Sequence, residues 1–426
     1  MNTHDIEAAV EALRNELITF AQRMVQAASL PNEEHAVQAI MAERLTSMGM
    51  EVIVSPVRFD TLAGHPAFSD DGFSPDARVN VIGRWVGARR DDPTRSLILN
   101  GHVDVVPTGD EALWSVPPFG GVVKDGRLYG RGALDMKCGL VTGVFAIAAL
   151  QRLGFQPAQD VLIESVIGEE SGGVGTLATI VEGYTAGGVI VLEPTRLKMC
   201  PVQSGALTFR LTVEGKAVHA AMRQYGVSAI EKFALLLAAL SDLEAQRHAT
   251  FSHPLYEDPR YIAPISIGTV RGGEWHSTVA ERVVAEGRFG VLPGESNAAA
   301  RTVLEGAVRA AAEADPWLCE NPPRVEWFEG QFEAGETPAD HPLLQTLAEA
   351  HAAIVGAKPD IQGVPYGSDL RLFTNHARLP AVLYGPGDVS LAHKADEWID
   401  LAEIITATKI VAEFITRWVG GALKGE

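Results

Sequence analysis

Five short segments of this 426-residue chain carry histidine and carboxylate side chains, the groups that hold divalent metal ions. In the first, residues 101–107 with the sequence GHVDVVP, His102 and Asp104 are two positions apart. In an extended segment this spacing places both side chains on one side, where the carboxylate can accept the second ring N–H and set the tautomer. The other four segments carry Asp135, Glu169 with Glu170, Glu193 and His393. Together these groups suffice for two ions about 3.5 Å apart, with one bridging carboxylate and an open position for water.

Three of these segments directly follow predicted strands. The runs 96–100, 161–167 and 188–192 are short, apolar and rich in β-branched residues, which is typical of strands buried on both faces of a mainly parallel sheet. Each run ends next to a candidate ligand, and sites in open α/β sheets form at the carboxyl ends of the strands. The sequence therefore predicts that these ligands meet at one edge of the sheet, although they are far apart along the chain.

In their order, the motifs GHxDxVP, GRGxxDMK, GEE, EPT and a late AHxxxE resemble those of the dinuclear zinc acylases and exopeptidases. That family includes acetylornithine deacetylase, succinyl-diaminopimelate desuccinylase, aminoacylase-1 and glutamate carboxypeptidase, and the match covers nearly the whole chain. The resemblance implies one metal ion on His102, Asp135 and Glu193, and a second on Asp135, Glu170 and His393. Asp135 would bridge the ions, and its peptide bond to the next residue would be cis. Zinc is the expected metal, with cobalt or manganese as alternatives that suit the same ligands.

The implied reaction is metal-dependent hydrolysis of a linear amide bond. Glu169 would be the general base, taking the proton of a metal-bridging water as the hydroxide attacks the carbonyl and passing it to the leaving amine. Asp104 would be the partner of His102. His219 resembles the family's lid histidine, which reaches the partner subunit's active site and stabilises the oxyanion there. The alternative for His219 is an ordinary histidine at the end of a strand.

On the substrate side, the chain departs from the family at two positions. The family's Asn after the lid Gly-Gly is Ser277 here, and its Arg before a Leu-Pro-Gly turn is Gly290. Arg288 lies two positions earlier, on the same face of a predicted strand, and could replace that Arg. His276 is a further candidate for the pocket lining. The departures put a requirement for a substrate carboxylate in doubt.

Two later residues match the family's substrate-side loops: Arg371 and Gly385. For Arg371 the alternative is a surface ion pair with Asp369, which would contribute little. The segment 59–81 is longer than a plain connection and could either cover the site or only extend the surface. These features most resemble the acetylornithine-deacetylase-like branch, which includes N-acyl and N-formyl amine deacylases.

The middle of the chain predicts a separate domain. A strand at 206–213, a helix at 227–246, strands at 262–270 and 282–292, a helix at 297–314 and a strand near 325 follow in the order β-α-β-β-α-β, that of a ferredoxin-like fold. We therefore predict an α/β protein with a mainly parallel-sheet catalytic domain, formed by residues 1–203 and 329–426. The inserted domain, residues 204–328, would be a lid and, by the resemblance, the surface of a homodimer.

The net charge of −19 and the pI of about 5.1 argue against nucleic acid as a partner, because phosphate groups would be repelled. The sequence shows no secretion signal, and its longest apolar run, 139–150, is shorter than a membrane helix needs and predicts a buried helix. Three scattered cysteines, Cys138, Cys200 and Cys319, indicate buried thiols in a reducing compartment. We expect a cytoplasmic protein that does not bind membranes.

The sequence is compatible with three functions. The leading one is an amidohydrolase that removes a small N-acyl group, of acetyl, formyl or succinyl type, from an amine or amino acid. A dipeptidase or carboxypeptidase on the same scaffold is the alternative; in the family, a glutamate at position 193 accompanies acylases and carboxypeptidases more than aminopeptidases. A binding protein without activity would require a lost ligand or base, and none of them is missing from the sequence.

Overall fold

The computed structural model of the protein describes residues 2–70, 72–74 and 76–423. Its α-helices are α1 (Thr3–Ala12), α2 (Arg14–Gln26), α3 (His35–Ser47), α4 (Phe59–Leu62), α5 (Cys138–Arg152), α6 (Val174–Val181), α7 (Ala229–Thr250), α8 (Asn297–Glu313), α9 (Pro316–Glu320), α10 (Pro342–Val355) and α11 (Leu401–Val419). Its strands are β1 (Glu51–Pro56), β2 (Val79–Trp85), β3 (Leu97–His102), β4 (Val122–Lys124), β5 (Arg127–Tyr129), β6 (Phe155–Pro157), β7 (Val161–Val166), β8 (Gly188–Val191), β9 (Met199–Gln203), β10 (Gly205–Glu214), β11 (Ile265–Gly272), β12 (Arg282–Val291), β13 (Arg324–Phe332), β14 (Gly335–Glu336), β15 (Ile361–Val364), β16 (Ala381–Leu383), β17 (Trp398–Asp400) and β18 (Gly421–Leu423).

The chain separates into two compact units. The first contains the described residues of Met1–Pro201, Glu336–Gln362 and Ser368–Glu426, and the second contains Val202–Gly335 with Gly363–Gly367. The chain returns to the first unit at residue 336, whereas the sequence places that boundary after residue 328. The boundary lies later because β13 continues to Phe332.

The first unit is built around a large sheet with a parallel centre. Strands β7, β3, β8 and β16 lie side by side in that order and are parallel, while β2 and then β1 extend the β7 side with antiparallel pairing. Every residue of β3, β7 and β8 is buried. In the register of β3 and β7, His102 lies opposite Val166, so the two strands end together at one edge of the sheet. The predicted α/β fold class with a mainly parallel sheet is confirmed.

Helix α5 packs against this sheet as a core helix. Most of its residues are buried, and Gly139 and Gly143 allow the close contact: a Cβ on Gly139 would lie only 2.0 Å from the carbonyl oxygen of Leu192. Among the described residues, the stretch Ala133–Arg152 is long and apolar enough to cross a membrane, but 89% of its apolar 18-residue window is buried inside the structure. The buried helix predicted at 139–150 is confirmed.

The second unit has the order β10-α7-β11-β12-α8-β13, and its four strands form an antiparallel sheet in the order β11-β12-β10-β13. This is the predicted ferredoxin-like arrangement. Its core is apolar and includes Phe209, Leu236, Phe289 and Leu304. Both long helices begin at serines, Ser228 and Ser296, whose hydroxyl oxygens accept backbone N–H groups of the first turn.

All three cysteines carry free thiols. Cys138 and Cys200 are buried, as predicted, but Cys319 is exposed at α9, so the expectation of a buried thiol was wrong there. The reason is that α9 is a short helix that buries only its Leu318 side.

Candidate metal centre

All six residues predicted to bind metal or act as base lie in the first unit, in segments next to its strands and helices. His102 is the last residue of β3, Glu169 and Glu170 follow β7, and Glu193 follows β8. Asp135 lies in an irregular segment just before α5, and His393 lies in the loop before β17. The peptide bond Asp135–Met136 is cis, which confirms the expectation from the motif.

The carboxylate of Asp135 lies between the two imidazoles. Its Oδ1 is 3.2 Å from Nε2 of His102, and its Oδ2 is 3.5 Å from Nε2 of His393. Each oxygen therefore faces one histidine, which is the arrangement that a bridging carboxylate requires. The two histidines are 291 residues apart in sequence (393 − 102), so only the folded chain brings them to one carboxylate.

The remaining three acids complete two clusters around this bridge. Nε2 of His102 is 3.9 Å from Oε2 of Glu169 and 3.9 Å from Oε1 of Glu193, and Nε2 of His393 is 3.2 Å from Oε1 of Glu170. Among the described residues, two groups offer three ligand atoms within 4.8 Å of one another: His102 with Asp135 and Glu170, and His102 with Glu169 and Glu193. The structure thus brings all six predicted residues together.

The buried acids of the centre repel one another. Burial raises the pKa of Glu169 and of Glu193 well above the usual range of a glutamate, and the charges of neighbouring acids raise both further. Burial and the charge of Asp135 also raise the pKa of Glu170. Four carboxylates in one buried site are unfavourable unless cations compensate them. This donor set of oxygen and imidazole ligands therefore fits divalent metal ions.

The carboxylates of the centre favour the charged form of the two imidazoles. Burial opposes protonation of His102, but its hydrogen bond with Asp135 and the nearby acids raise its pKa well above the ordinary value. Hydrogen bonds with Asp135 and Glu170 raise the pKa of His393 to about 10. Burial alone would raise the pKa of Asp135, but its hydrogen bonds with the two histidines lower it. The centre therefore favours positive charge between its acids.

Asp104 makes different contacts from those predicted. Nδ1 of His102 lies 2.9 Å from the backbone carbonyl oxygen of Asp104 and 3.6 Å from its carboxylate, so the carbonyl is the nearer acceptor for the ring N–H. The carboxylate instead accepts the backbone N–H groups of Glu169 at 3.2 Å and Glu170 at 3.1 Å. Asp104 therefore holds the turn that carries both glutamates, in addition to contacting the histidine.

Arg371 and Gly385, predicted to bind substrate, lie inside the first unit. Arg371 is 1% exposed and donates from Nη2 to the carbonyl oxygen of Gly172, at 2.8 Å. Asp369 is equally buried and accepts a hydrogen bond from the hydroxyl of Thr176, so the alternative of a surface ion pair is wrong. Gly385 packs against the backbone next to Glu193, where a Cβ would lie 2.7 Å from the Glu193 carbonyl oxygen. In the structure, both residues contact the loops that carry the proposed ligands.

The segment 59–81 packs near the loop that carries the two glutamates. Its helix α4 is followed by Phe68, whose ring meets that of Phe59 edge to face at 5.6 Å. A Cβ on Gly172 would lie 3.0 Å from Cβ of Ser69. At Ser69 the segment therefore reaches the loop that follows the two glutamates; residues 71 and 75 of the segment lie outside the described residues.

The other predicted substrate residues belong to the second unit. Arg288 donates to the carbonyl oxygen of Pro365 at 2.9 Å, and Nδ1 of His276 lies 2.9 Å from the hydroxyl of Ser277. His276 is exposed and lines a cleft of about 740 Å³ within this unit. At Gly290, a Cβ would lie 2.5 Å from Cα of Ala263, so the strand leaves no room for an arginine at that position.

His219 is also in the second unit and is exposed. It pairs with Thr278 in an isolated β-bridge, and its Nδ1 accepts the backbone N–H of Ala221 at 3.1 Å.

Two residues next to the centre, Arg131 and Glu397, were not predicted from the sequence. Both lie within the motifs GRGxxDMK and AHxxxE, and both are almost completely buried. The signal that could have found them is their position, since each lies four residues from a predicted metal ligand, inside a motif that gave it no function.

The fold and the comparisons with known proteins together define a hydrolase of mixed α/β structure that acts on amide bonds. The chain belongs to peptidase family M20/M25/M40, whose model matches residues 98–417. It is 28% identical to the N-formyl-4-amino-5-aminomethyl-2-methylpyrimidine deformylase of Bacillus subtilis over 97% of both chains. The deformylase of the same name from Halalkalibacterium halodurans is 31% identical, over 76% of this chain and 79% of the relative. The succinyl-diaminopimelate desuccinylase of Rhodospirillum centenum is 29% identical over 79% and 84%.

Solved structures agree on the fold. The dipeptidase Dug1p from Saccharomyces cerevisiae matches with a TM-score of 0.76 and 13% identity over 98% of both chains. The YXEP protein of Bacillus subtilis, described as a dinuclear metal binding peptidase, matches with a TM-score of 0.64 and 16% identity, over 97% of this chain and 100% of that one. At these identities the likeness concerns the fold alone.

Proposed function

We propose that this protein is a dinuclear metal-dependent amidohydrolase that removes a small N-acyl group from an amine or amino acid. The observation that carries the proposal is Asp135, whose two carboxylate oxygens each face one imidazole, with Glu169 3.9 Å from the first imidazole. The names of the sequence relatives support removal of formyl or succinyl groups.

The ligands would divide around Asp135. His102 and Glu193 would complete one site, and Glu170 and His393 the other. Zinc is the first candidate, and cobalt or manganese suit the same ligands. When bound, the two ions lower the pKa of a bound water to about 7 and polarise the amide carbonyl of the substrate.

Glu169 would serve as the general base. It lies beside Glu170 at the end of β7, and the N–H groups of both residues are held by the carboxylate of Asp104. A carboxylate in this position takes the proton of the attacking water and delivers it to the nitrogen of the leaving amine.

A formylated heteroaromatic amine is the first substrate to test. The deformylase of Bacillus subtilis aligns with 97% of this chain and 97% of its own length, so the similarity extends over nearly all of both sequences. A formyl group is the smallest acyl group, and removing it makes no use of a substrate carboxylate. That agrees with Gly290, where the backbone of Ala263 leaves no space for the arginine expected from the resemblance.

A substrate panel tests the function. Metal-free protein is reloaded with zinc, cobalt or manganese and assayed with N-formyl aminomethylpyrimidine, N-acetyl amino acids, N-succinyl-diaminopimelate and dipeptides, with Glu169→Gln as the blank. We expect kcat/KM to be highest for one of the N-acyl compounds. Preferred cleavage of dipeptides would instead support an exopeptidase on the same scaffold, and no metal-dependent hydrolysis of any compound would overturn the proposal.

We further propose that the protein is a cytoplasmic homodimer in which His219 acts on the partner's substrate. The second unit supports this because it exposes large apolar side chains, including Tyr225 at 63%, Ile230 at 53% and Trp275 at 63%. Ile230 and Trp275 line the same cleft, and exposed apolar side chains that lie together mark interaction surfaces. In that role, His219 would donate a hydrogen bond to the developing oxyanion.

A further inference from the structure

A buried ion pair lies beside the proposed metal centre without belonging to its ligands. Nη1 of Arg131 donates to Oε2 of Glu397 at 2.7 Å, and the two side chains are 2% and 1% exposed. Burying two charges has a desolvation cost that roughly offsets their attraction, so such a pair adds little net stability. Its contacts indicate what else it does.

Glu397 holds the backbone of the bridging residue. Its second oxygen, Oε1, accepts the N–H of Leu134 at 2.9 Å and the N–H of Asp135 at 3.3 Å. The side chain of Asp135 is the one that faces both imidazoles. A shift of this backbone would therefore move the bridge relative to both histidines.

Arg131 reaches the two segments that carry those histidines. Its Nη2 donates to the carbonyl oxygen of Pro107 at 3.2 Å, at the end of the segment 101–107 that carries His102. Its Nη1 donates to the carbonyl oxygen of Lys394, also at 3.2 Å. Lys394 directly follows its histidine in sequence, whereas Pro107 is five residues from His102. The pair thus connects three segments and is most directly joined to Asp135 and His393.

We propose that Arg131 and Glu397 are positioning residues that set Asp135 and His393 for binding the second metal ion, the one assigned to Asp135, Glu170 and His393. The inference rests on the proposed function, because it assumes two ions. His393 depends on this support because it is half-exposed and its backbone has φ of +61°, a conformation that residues other than glycine rarely adopt. Residues behind metal ligands typically change affinity 10–100-fold when they are replaced.

The test is a titration of metal-free full-length protein with Co²⁺, followed by visible absorption and calorimetry. Wild type should bind two ions. Glu397→Gln keeps an oxygen for the two backbone N–H groups but places an amide opposite the guanidinium. Because Asp135 faces both imidazoles, the variant should weaken both ions, but the second, at least tenfold, more than the first. Arg131→Lys keeps the charge but loses the planar fork of donors. It should likewise lower the affinity for the second ion, and it replaces Glu397→Gln in the test if that variant does not fold.

The control is Glu295→Gln in the second unit, which breaks a similar pair with Arg247 at 2.8 Å. It should lower thermal stability without changing either Co²⁺ affinity. If both variants of the buried pair fold and bind two ions as tightly as wild type, the inference is overturned while the proposed function stands. If wild type itself binds fewer than two ions, the proposed dinuclear function fails, and this inference fails with it.

Discussion

The carboxylate of Asp104 accepts the backbone N–H of Glu169 at a distance of 3.2 Å. An oxygen of the same carboxylate accepts the N–H of Glu170 at 3.1 Å, so one buried acid holds both glutamates at the end of β7. The backbone of the proposed base is therefore held by a residue that is not a proposed metal ligand, and the two glutamates can be tested separately.

Glu169→Gln should abolish turnover and leave the metal content almost unchanged. Gln keeps the shape of the side chain but cannot take a proton, and general-base catalysis typically contributes 10²–10⁴-fold. The matched control is Glu170→Gln at the next position, which should lose the ion shared with His393. Activity and metal content are measured on the same samples. A Glu169→Gln variant with wild-type rates would show that another group is the base.

Asp135→Ala should remove both metal ions, because its two oxygens face His102 and His393. His393→Ala, in contrast, should lose only one ion, since it removes a ligand of a single site. Elemental analysis after dialysis gives the number of ions per chain. Two ions retained in the Asp135→Ala protein would exclude it as the bridge.

Gly385→Ala should destabilise the protein and weaken the site that contains Glu193. The new Cβ would lie 2.7 Å from the carbonyl oxygens of Leu192 and Glu193, and overpacking of this kind typically costs about 1–3 kcal/mol. Gly64→Ala is the control, because nothing lies within 4 Å of a Cβ there, and its effect should stay within about 0.5 kcal/mol. Urea unfolding measures both. Equal stability of the two variants would contradict the close approach at Gly385.

In the Glu164→Gln variant, the free energy of unfolding should fall less between pH 4 and pH 8 than it does in the wild type. Burial in β7 raises the pKa of Glu164 from 4.5 to about 7, although Asn100 and Thr179 donate hydrogen bonds to it. Because the folded pKa is the higher one, the folded state holds the proton more tightly. The resulting stabilisation is fully present below pH 4.5 and is lost as pH rises through 7, an effect of about 3 kcal/mol. Urea unfolding of metal-free protein at pH 4 and pH 8 should show a smaller decline for the variant; parallel declines would show that Glu164 titrates normally.

His219→Ala and Glu169→Gln should complement each other if His219 acts across a dimer. Each variant alone should lose at least about 100-fold in kcat. In a heterodimer, however, one site combines an intact Glu169 with the partner's intact histidine. Chains co-expressed with two affinity tags and purified through both should therefore recover up to half of the wild-type activity. An inactive heterodimer would mean that His219 acts within its own chain, whereas wild-type activity of the His219→Ala variant alone would mean that it has no role in catalysis.

Much of the fold and of the site's composition could be predicted from the sequence. Apolar runs that end at His102, Glu169 and Glu193 predicted three parallel strands with a common edge, because buried strands have a local pattern that needs no tertiary information. The order of elements in the second unit was predicted for the same reason. The motifs around Asp135 and His393 added the last two segments by resemblance.

The functions of the supporting residues could not be predicted in this way. The spacing of His102 and Asp104 predicted a contact, but it could not show that the nearer acceptor is the backbone carbonyl and that the carboxylate binds the glutamate turn. Arg371 fitted a surface pair equally well until its burial was known.

The sequence by itself determined which side chains form the centre and which strands carry them, because strand periodicity and motif order are properties of short segments. Only the tertiary structure decided which groups hold them in place. Arg131 and Glu397 are 266 residues apart, and their contacts with Pro107, Asp135 and Lys394 depend on distances between segments that meet only in the folded protein. Hydrogen bonds act over about 3 Å, and no local pattern determines which distant segments approach so closely.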